Sequence, residues 1–326
     1  MMRFSRATLV LTVLNEEASI ARFMDSLLLQ SVMPKEIVIV DGGSNDNTVG
    51  ILRSWQAPAG CTVVISIFAS ANISEGRNEA IQKASNELIL VTDAGTALSP
   101  KWVELMAAGF ESANDVDVVS GFFLPDGEGF WERTIAFAIT PELREIDPAS
   151  FLPSSRSVAF TVKAWEAAGG YPEWLDYCED LIFDLSLKRQ GSQFVFQPEA
   201  TVTWSGRPSL AGFIKQYYRY ARGDGKAGLW AKRHAIRYLA YVGGLAILSS
   251  SWSLPLLLVL LPLGAAAYLQ KSFRRVWSRR VEFGSHPFAA LLMVPVVVVA
   301  GDIAKMVGYP VGLVWKRNHR ERLGNS

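Results

Sequence analysis

The feature that most constrains the fold is an alternation of short apolar runs with segments of helical periodicity in the first 206 residues. The apolar runs at residues 7–13, 36–40, 62–68 and 87–91 are rich in β-branched residues, as strands buried on both faces are. Between the first two runs, apolar side chains recur at helical spacing over residues 20–28. The alternation therefore predicts an α/β fold with a Rossmann-like, mostly parallel sheet.

Four acidic motifs stand where predicted strands end, at residues 12–17, 41–46, 92–96 and 178–180. The carboxyl ends of parallel strands border the crevice in which an open α/β sheet binds its ligand. Carboxylates at such an edge suit a phosphate substrate bridged by a divalent cation. The sequence therefore predicts a ligand site at this edge of the sheet.

Charge is divided unevenly along the chain. From Arg207 onward there are 18 Lys and Arg and 4 Asp and Glu, so 14 of the 32 basic and 27 of the 31 acidic residues lie in the first 206. A basic, apolar second half indicates a membrane surface rather than nucleic acid. We expect three parts: an α/β domain at 1–206, an amphipathic interfacial helix region at 207–235, and membrane-embedded helical hairpins or re-entrant helices with basic flanks at 236–326.

Two long apolar stretches, at residues 239–269 and 287–315, are flanked by the basic segments 271–280 and 316–322. If basic loops stay in the cytoplasm, each stretch returns to the side that it entered from, which favours hairpins over single spans. The alternative is a pair of buried helices in a soluble domain. The two cysteines form neither a disulfide framework nor a zinc-ligand pattern, so we expect a reducing compartment.

Three further predictions concern one helix, one irregular segment and two strands. Pro100 predicts the first turn of a helix that runs to about residue 112, with Ser99 as its cap. Glycine, proline and acidic residues over 121–153 predict an irregular insertion above the ligand-binding edge. Residues 194–197 and 200–204 read as two separate short strands.

The acidic motifs allow both structural and chemical interpretations. Asn15 and its acidic neighbours could bind a base or ribose, or simply cap a helix. Asp41 could accept hydrogen bonds from ribose hydroxyls, or only shape the turn that its glycines form. Glu179 and Asp180 could be capping carboxylates or could include a general base.

The metal and phosphate candidates are also open. Asp93 could share a divalent cation with diphosphate oxygens, but Gly95 stands where a second carboxylate would point the same way. Arg219 and Arg222 lie three residues apart on one predicted helix face, where they suit a pyrophosphate or lipid headgroups.

Taken in order, these motifs resemble those of the family 2 glycosyltransferases with the GT-A fold, over about residues 7–230. The resemblance implies an inverting enzyme, and the trailing apolar segments look like those of the membrane-anchored members. It assigns nucleotide binding to five residues: Thr12, Leu14, Glu16, Asp41 and Arg77. Asn78 follows Arg77 as in the Arg-Asn pair of the family, and Gly42 stands where many members have a second Asp.

The same resemblance assigns the chemistry to the later motifs. Asp93 matches the first residue of the metal motif for Mg²⁺ or Mn²⁺, and Gly95 departs from it. Glu179 and Asp180 match the catalytic-base pair, with Asp180 as the base. Gln216 and Arg219 resemble the Gln-x-x-Arg-Trp motif, with Tyr220 in place of Trp, and Arg222 joins them as an acceptor or diphosphate ligand.

The implied reaction moves a sugar from a nucleoside diphosphate sugar to a lipid-linked or envelope-polysaccharide acceptor, with no nucleic acid partner. The implied location is the inner, cytoplasmic membrane, with the catalytic domain facing the cytoplasm. One alternative is a non-catalytic nucleotide-sugar-binding module of a membrane complex. Another is a nucleotidyltransferase, although the glycine- and lysine-rich phosphate loop of that class is absent from the sequence.

Overall fold

The computed structural model describes residues 2–319, which form two compact units. The first, which we call the sheet unit, comprises residues 2–124 and 143–204. The second, the helical unit, comprises residues 125–142 and 205–319. The domain boundaries expected after residues 206 and 235 stay predictions.

The described residues form one eight-stranded sheet in the order β3-β2-β1-β4-β7-β6-β8-β5. Its strands are β1 (Arg3–Val13), β2 (Val32–Asp41), β3 (Thr62–Ile67), β4 (Leu88–Val91), β5 (Thr96–Leu98), β6 (Val118–Asp126), β7 (Val158–Thr161) and β8 (Phe194–Ser205). Strands β1 to β4 pair in parallel, whereas the pairs β4–β7, β6–β7 and β5–β8 are antiparallel. The register places Val13 beside Asp41, so the carboxyl ends of β1 and β2 meet at one edge.

Helices of the sheet unit cover both faces of this sheet. They are α1 (Ile20–Leu28), α2 (Thr48–Ser54), α3 (Ile73–Gln82), α4 (Trp102–Gly109), α6 (Val162–Ala168) and α7 (Glu179–Arg189). Along β1, Leu9 and Leu11 belong to one buried cluster and Val10 to the other. Because successive side chains of a strand point to opposite faces, β1 is buried on both, as its unbroken apolar run predicts.

The predicted fold class is confirmed, and the sheet is mixed rather than wholly parallel. Residues 121–126, expected in a loop, are the end of β6. Gly121 belongs there because a Cβ would lie 2.0 Å from Ser157 Oγ and 2.4 Å from the Ala200 carbonyl oxygen. A strand glycine can thus mark close approach of a neighbouring backbone rather than a turn.

Two other expectations need correction. The strands predicted at 194–197 and 200–204 are the single strand β8, which includes Pro198. Helix α4 begins at Trp102, with Lys101 rather than Ser99 at the cap position. Ser99 instead accepts a hydrogen bond from the Trp102 amide through its backbone carbonyl.

The helical unit contains α5 (Phe130–Ile139), α8 (Leu210–Ala227), α9 (Ala231–Ser250), α10 (Leu260–Ser278) and α11 (Pro287–Asn318). A 3₁₀ turn over Pro255–Val259 precedes α10. The segments Pro255–Ser278 and Pro287–Asn318 are long and apolar enough to cross a membrane. The second apolar stretch, expected to turn back on itself, is instead one continuous helix; Pro295 and Pro310 lie within it without ending it.

Helices α8 and α11 pack at glycine contacts. A Cβ on Gly312 would lie 2.2 Å from the Arg222 carbonyl oxygen, and one on Gly308 would lie 2.3 Å from that of Tyr218. On α8, a Cβ on Gly225 would lie 2.9 Å from the Gly312 Cα atom. Glycine is thus required on both helices for their backbones to approach this closely, as in helix pairs packed through small residues.

A buried carboxylate joins three helices of this unit. Asp302 of α11 is 3% exposed and accepts hydrogen bonds from Arg237 Nε of α9 at 2.7 Å and from the Tyr268 hydroxyl of α10 at 2.6 Å. The Tyr241 hydroxyl of α9 donates to the same Oδ2 atom at 3.3 Å. The charge that interrupts the second apolar stretch is therefore paired inside the helix bundle.

The glycine contacts give a stability prediction with an internal control. Gly312→Ala places a methyl group against the backbone of α8. It should lower the thermal unfolding midpoint of the purified full chain, because overpacking costs roughly 1–3 kcal/mol. Gly243 of α9 has no atom within 4 Å of its Cβ position. Gly243→Ala should therefore leave the midpoint unchanged or raise it slightly, because alanine favours helix. Equal midpoints for the two variants would contradict the packing described.

Candidate functional site

The site in the sheet unit is built on the first turns of α3. Asn72 caps this helix by accepting hydrogen bonds from the Ser74 and Glu75 amides, and Glu75 accepts one from the Asn72 amide in return. This reciprocal capping box fixes the start of the helix. It thereby sets the position of Arg77, which is one of the largest fully buried side chains in the described structure.

Arg77 forms a fork between two of the acidic motifs. Its Nη2 atom donates to Asp93 Oδ1 at 2.9 Å, and its Nη1 atom donates to Glu179 Oε1 at 2.7 Å. The guanidinium carbon lies 5.2 Å from the centre of the Tyr171 ring. The buried Arg77 guanidinium therefore holds the carboxyl end of β4 close to the start of α7.

The electrostatics of this fork keep Arg77 charged. Burial alone lowers the pKa of Arg77, but the carboxylates of Asp93 and Glu179 raise it, and the net shift is upward. Burial and the negative charge of Asp180 raise the pKa of Glu179, while Arg77 lowers it, and its net shift is also upward. Glu179 is thus a buried partner of Arg77 rather than a group that faces an incoming substrate.

Helix α7 begins at an unusual backbone conformation. Cys178, immediately before it, has a φ of 66°, a left-handed value that costs a non-glycine residue free energy. The turn places Glu179 inward and leaves Asp180 half-buried, with Oδ1 accepting from the Leu181 amide at 2.8 Å. One turn further on, burial and Asp180 raise the pKa of Asp184 well above its usual range. Asp180 is therefore the carboxylate of α7 that a substrate can reach.

Asn78, next to Arg77, holds the turn that precedes this region. Its Nδ2 atom donates to the Tyr171 carbonyl and to Glu173 Oε1, both at 2.9 Å. Its Oδ1 atom accepts from the Tyr171 amide at 2.9 Å and from Trp165 Nε1 at 3.2 Å. Asn78 is thus fully engaged in positioning the ring beneath Arg77, which is a structural explanation for the Arg-Asn pair.

The loops after β1 and β2 are tied to each other. Asn15, at a φ of 56°, donates its amide to Ser44 Oγ at 2.8 Å and accepts from the Asn45 amide at 3.0 Å. Asp41 is 1% exposed, and its Oδ1 accepts from the Gly43 and Ser44 amides at 2.9 Å. The Ser44 hydroxyl donates to Asp41 Oδ2 at 2.5 Å. Asp41 therefore shapes its own loop, as the structural interpretation of this motif expects.

The other residues of the first motif lie at the same edge. Thr12 is the penultimate residue of β1 and pairs with Val40, and Leu14 is 52% exposed just beyond the strand. Glu16 donates its amide to Thr48 Oγ1 at 2.8 Å, and its carboxylate accepts from the Ser19 hydroxyl. Of the three, Leu14 has the side chain most available to a ligand.

The residues around Asp93 do not fit a resident divalent cation. Asp93 Oδ1 already accepts from Arg77, and Oδ2 lies 4.0 Å from Arg156 Nε. Gly95 offers no side-chain ligand, and no group of three or more His, Cys, Asp or Glu in residues 2–319 is placed to hold a metal. A hard cation is held by several oxygen ligands, whereas this single carboxylate faces two guanidinium groups.

The remaining predicted site residues lie on α8 in the helical unit. Gln216 is 7% exposed; its Nε2 donates to the Tyr220 hydroxyl at 2.7 Å and its Oε1 accepts from Arg207 Nε at 3.2 Å. Arg219 and Arg222 are partly buried on the same helix. The structure thus groups Arg77, Asp93, Glu179 and Asp180 in one unit and the α8 residues in the other.

Two side chains of the sheet unit were missed by sequence reasoning. Tyr171 lies against Arg77, and Arg156 lies beside Asp93. Neither belongs to an acidic motif, and Arg156 stands in a short serine-rich stretch after the insertion predicted over residues 121–153. The one feature that could have indicated a role for Arg156 is its position two residues before β7, the strand that pairs with β4.

Comparison with known proteins gives matches over most of the chain. The model of Glycosyl transferase family 2 matches residues 8–162, and that of Glycosyl transferase family group 2 matches residues 88–301. Glycosyltransferase AglE from Haloferax volcanii is 23% identical over 229 residues, which cover 67% of this chain and 72% of that protein. Validoxylamine A glucosyltransferase from Streptomyces hygroscopicus subsp. limoneus is 26% identical over 175 residues, 52% of this chain but only 39% of that protein.

A solved structure shares the fold. The mannosyltransferase PcManGT from Pyrobaculum calidifontis, in complex with GDP-Man and Mn²⁺, superposes with a TM-score of 0.55 at 18% identity. The match covers 95% of this chain and 86% of that one. The likeness supports a GT-A fold, and the family group 2 model spans well over half of the chain. The chain therefore belongs to the family group 2 glycosyltransferases.

Proposed function

We propose that this chain transfers a sugar from a nucleoside diphosphate sugar to an acceptor hydroxyl, with inversion at the anomeric carbon. The observation that carries the proposal is the buried fork of Arg77, which joins Asp93 to Glu179 and sets Asp180 beside them. A charged network that links the carboxyl end of β4 to a helix start is more than a sheet needs for folding. It is the kind of preorganised site that catalysis by electrostatics requires.

In the proposed reaction, Asp180 is the general base. The acceptor O–H gives its proton to the Asp180 carboxylate as its oxygen attacks the anomeric carbon. The bond from that carbon to the diphosphate oxygen breaks, and the electron pair leaves with the diphosphate. Glu179 is not assigned this role because its Oε1 atom is 2.7 Å from Arg77 Nη1 and its side chain is 9% exposed.

For donor binding, we assign the edge formed by the loops after β1 and β2. Thr12, Leu14 and Glu16 border this edge, and Asp41 fixes the backbone of the second loop. Asp41 Oδ1 already accepts two amide hydrogen bonds, but Oδ2 accepts from the Ser44 hydroxyl and keeps a further lone pair that a ribose hydroxyl could use. The similar PcManGT structure holds GDP-Man, which supports a nucleotide-sugar donor.

For the acceptor, we propose a lipid-linked molecule and a membrane-associated enzyme, with Gln216, Arg219 and Arg222 as ligands for acceptor or phosphate. The support lies within the helical unit. Leu256 and Leu292, in the two segments long enough to span a membrane, are 86% and 72% exposed. An apolar groove between α8 and α11, lined by Ile214, Val296 and Val299 among others, has the composition to hold a hydrocarbon chain.

Substitution of the proposed base separates catalysis from binding. Asp180→Asn should lower donor turnover on the order of 10²- to 10⁴-fold, the usual contribution of a general base. It should leave unchanged the thermal stabilisation by the matching nucleoside diphosphate. The assay uses the full chain in detergent, with UDP- and GDP-sugars and a total lipid extract as acceptor.

The matched control is Glu166→Gln, which removes an exposed carboxylate from neighbouring α6. It should keep full turnover. Full turnover by Asp180→Asn would contradict the assignment of the base. Nucleotide binding by the unmodified chain without any turnover would favour the alternative, a non-catalytic nucleotide-sugar-binding module.

Membrane association is tested by extraction. The expressed chain should sediment with membranes and stay there through high-salt and alkaline carbonate washes, because burial of apolar side chains in lipid does not depend on salt. Detergent should release it. Release by salt alone would show that only basic residues attach the chain, and would contradict membrane-embedded helices.

Protease digestion of the sheet unit in inverted but not in right-side-out vesicles should show the expected cytoplasmic orientation.

A further inference from the structure

Asp93 lies between two guanidinium groups. One belongs to Arg77, 2.9 Å away, and the other to Arg156, whose Nε atom is 4.0 Å from Asp93 Oδ2. Asp93 is one-third exposed, so this group of charges borders solvent. Two residues on, Gly95 has nothing within 4 Å of its Cβ position. Space for a second carboxylate therefore exists, and the sequence does not fill it.

Arg156 is held firmly in place. The Thr92 hydroxyl, beside Asp93 in sequence, donates to the Arg156 carbonyl at 2.8 Å and ties its backbone to the end of β4. The guanidinium carbon lies 4.9 Å from the ring centre of Trp204 and 5.4 Å from that of Phe123. The Arg156 Nη1 atom donates to Ser154 Oγ at 3.3 Å. A guanidinium stacked on aromatic rings presents its N–H groups at its edge, in a planar fork that suits phosphate oxygens.

The groups that face Asp93 favour an anion over a cation at this place. Its Oδ1 atom is 2.9 Å from the Arg77 guanidinium and its Oδ2 atom is 4.0 Å from that of Arg156. A divalent cation at Asp93 would add two further positive charges beside two guanidinium groups. A diphosphate adds negative charge next to Arg156, which is 18% exposed and so reachable from solvent.

We propose that the Arg156 guanidinium binds the diphosphate of the donor and supplies the positive charge that a metal ion and a second carboxylate would otherwise provide. The inference rests on the proposed function, since it concerns the donor of that reaction. As the bond to the anomeric carbon breaks, negative charge grows on the leaving diphosphate, and a fixed guanidinium stabilises it. Donor binding by this chain is then independent of divalent metal.

The test compares nucleoside diphosphates with the matching monophosphates by titration calorimetry. The full chain in detergent is titrated with UDP and UMP, and with GDP and GMP, first in EDTA and then with Mn²⁺. We expect tighter binding of one diphosphate than of its monophosphate, to the same extent in both buffers. Arg156→Gln should reduce that preference about 10- to 100-fold, the effect of losing a charge-assisted hydrogen bond.

Two controls separate this effect from misfolding. Arg156→Lys keeps the charge and should retain part of the preference, whereas Arg53→Gln, an exposed arginine of α2, should change nothing. Monophosphate affinity should stay the same in all variants, because the nucleoside edge is intact. An unchanged diphosphate preference in Arg156→Gln would overturn the proposal.

Position 95 offers a reciprocal experiment. Because the Cβ position of Gly95 is open, Gly95→Asp should be accommodated and should make diphosphate binding tighter with Mn²⁺. Gly95→Asn, of the same shape but neutral, should remain insensitive to Mn²⁺. A wild-type chain that binds diphosphate only with Mn²⁺ would refute the inference while supporting the proposed function. Absence of any nucleotide binding would refute both.

Discussion

The interaction on which the candidate site depends is the buried fork of Arg77. Its two terminal nitrogens contact Asp93 and Glu179, groups that belong to different parts of the chain. Taking such charges out of water is costly, and only close pairing offsets the cost. The pairing therefore fixes the end of β4 relative to the start of α7, and with it the position of Asp180.

Most of the surrounding structure supports this fork. The Asn72 capping box orients α3, Asn78 holds the backbone of Tyr171, and the Tyr171 ring lies against the guanidinium. The left-handed conformation of Cys178 then divides the acidic pair, with Glu179 inward and Asp180 accessible. A single cation thus accounts for why two adjacent carboxylates have different surroundings and suit different roles.

The fold could be predicted from sequence where local pattern decides it. The unbroken apolar runs of β1 and β4 and the helical spacing of α1 were sufficient for the parallel half of the sheet. Gly121 suggested a loop, but it lies in a strand where close contact with a neighbouring backbone requires glycine. The second apolar stretch was expected to turn back on itself, but its prolines and charges are accommodated within the single helix α11. Site residues joined by long-range contacts, above all Arg156 beside Asp93, leave no local pattern to read.

The measurement that tests the central claim is a double-mutant cycle on Arg77 and Glu179, using the thermal unfolding midpoint of the full chain. Arg77→Met leaves the buried Glu179 carboxylate without its cation, and Glu179→Gln leaves the buried Arg77 with the partly exposed Asp93 as its remaining carboxylate; breaking a buried ion pair costs roughly 3–5 kcal/mol. If the fork organises the site, each single variant lowers the midpoint markedly, and the double variant recovers a large part of the loss. Additive losses in the double variant would show that the two residues act independently, and would contradict the account.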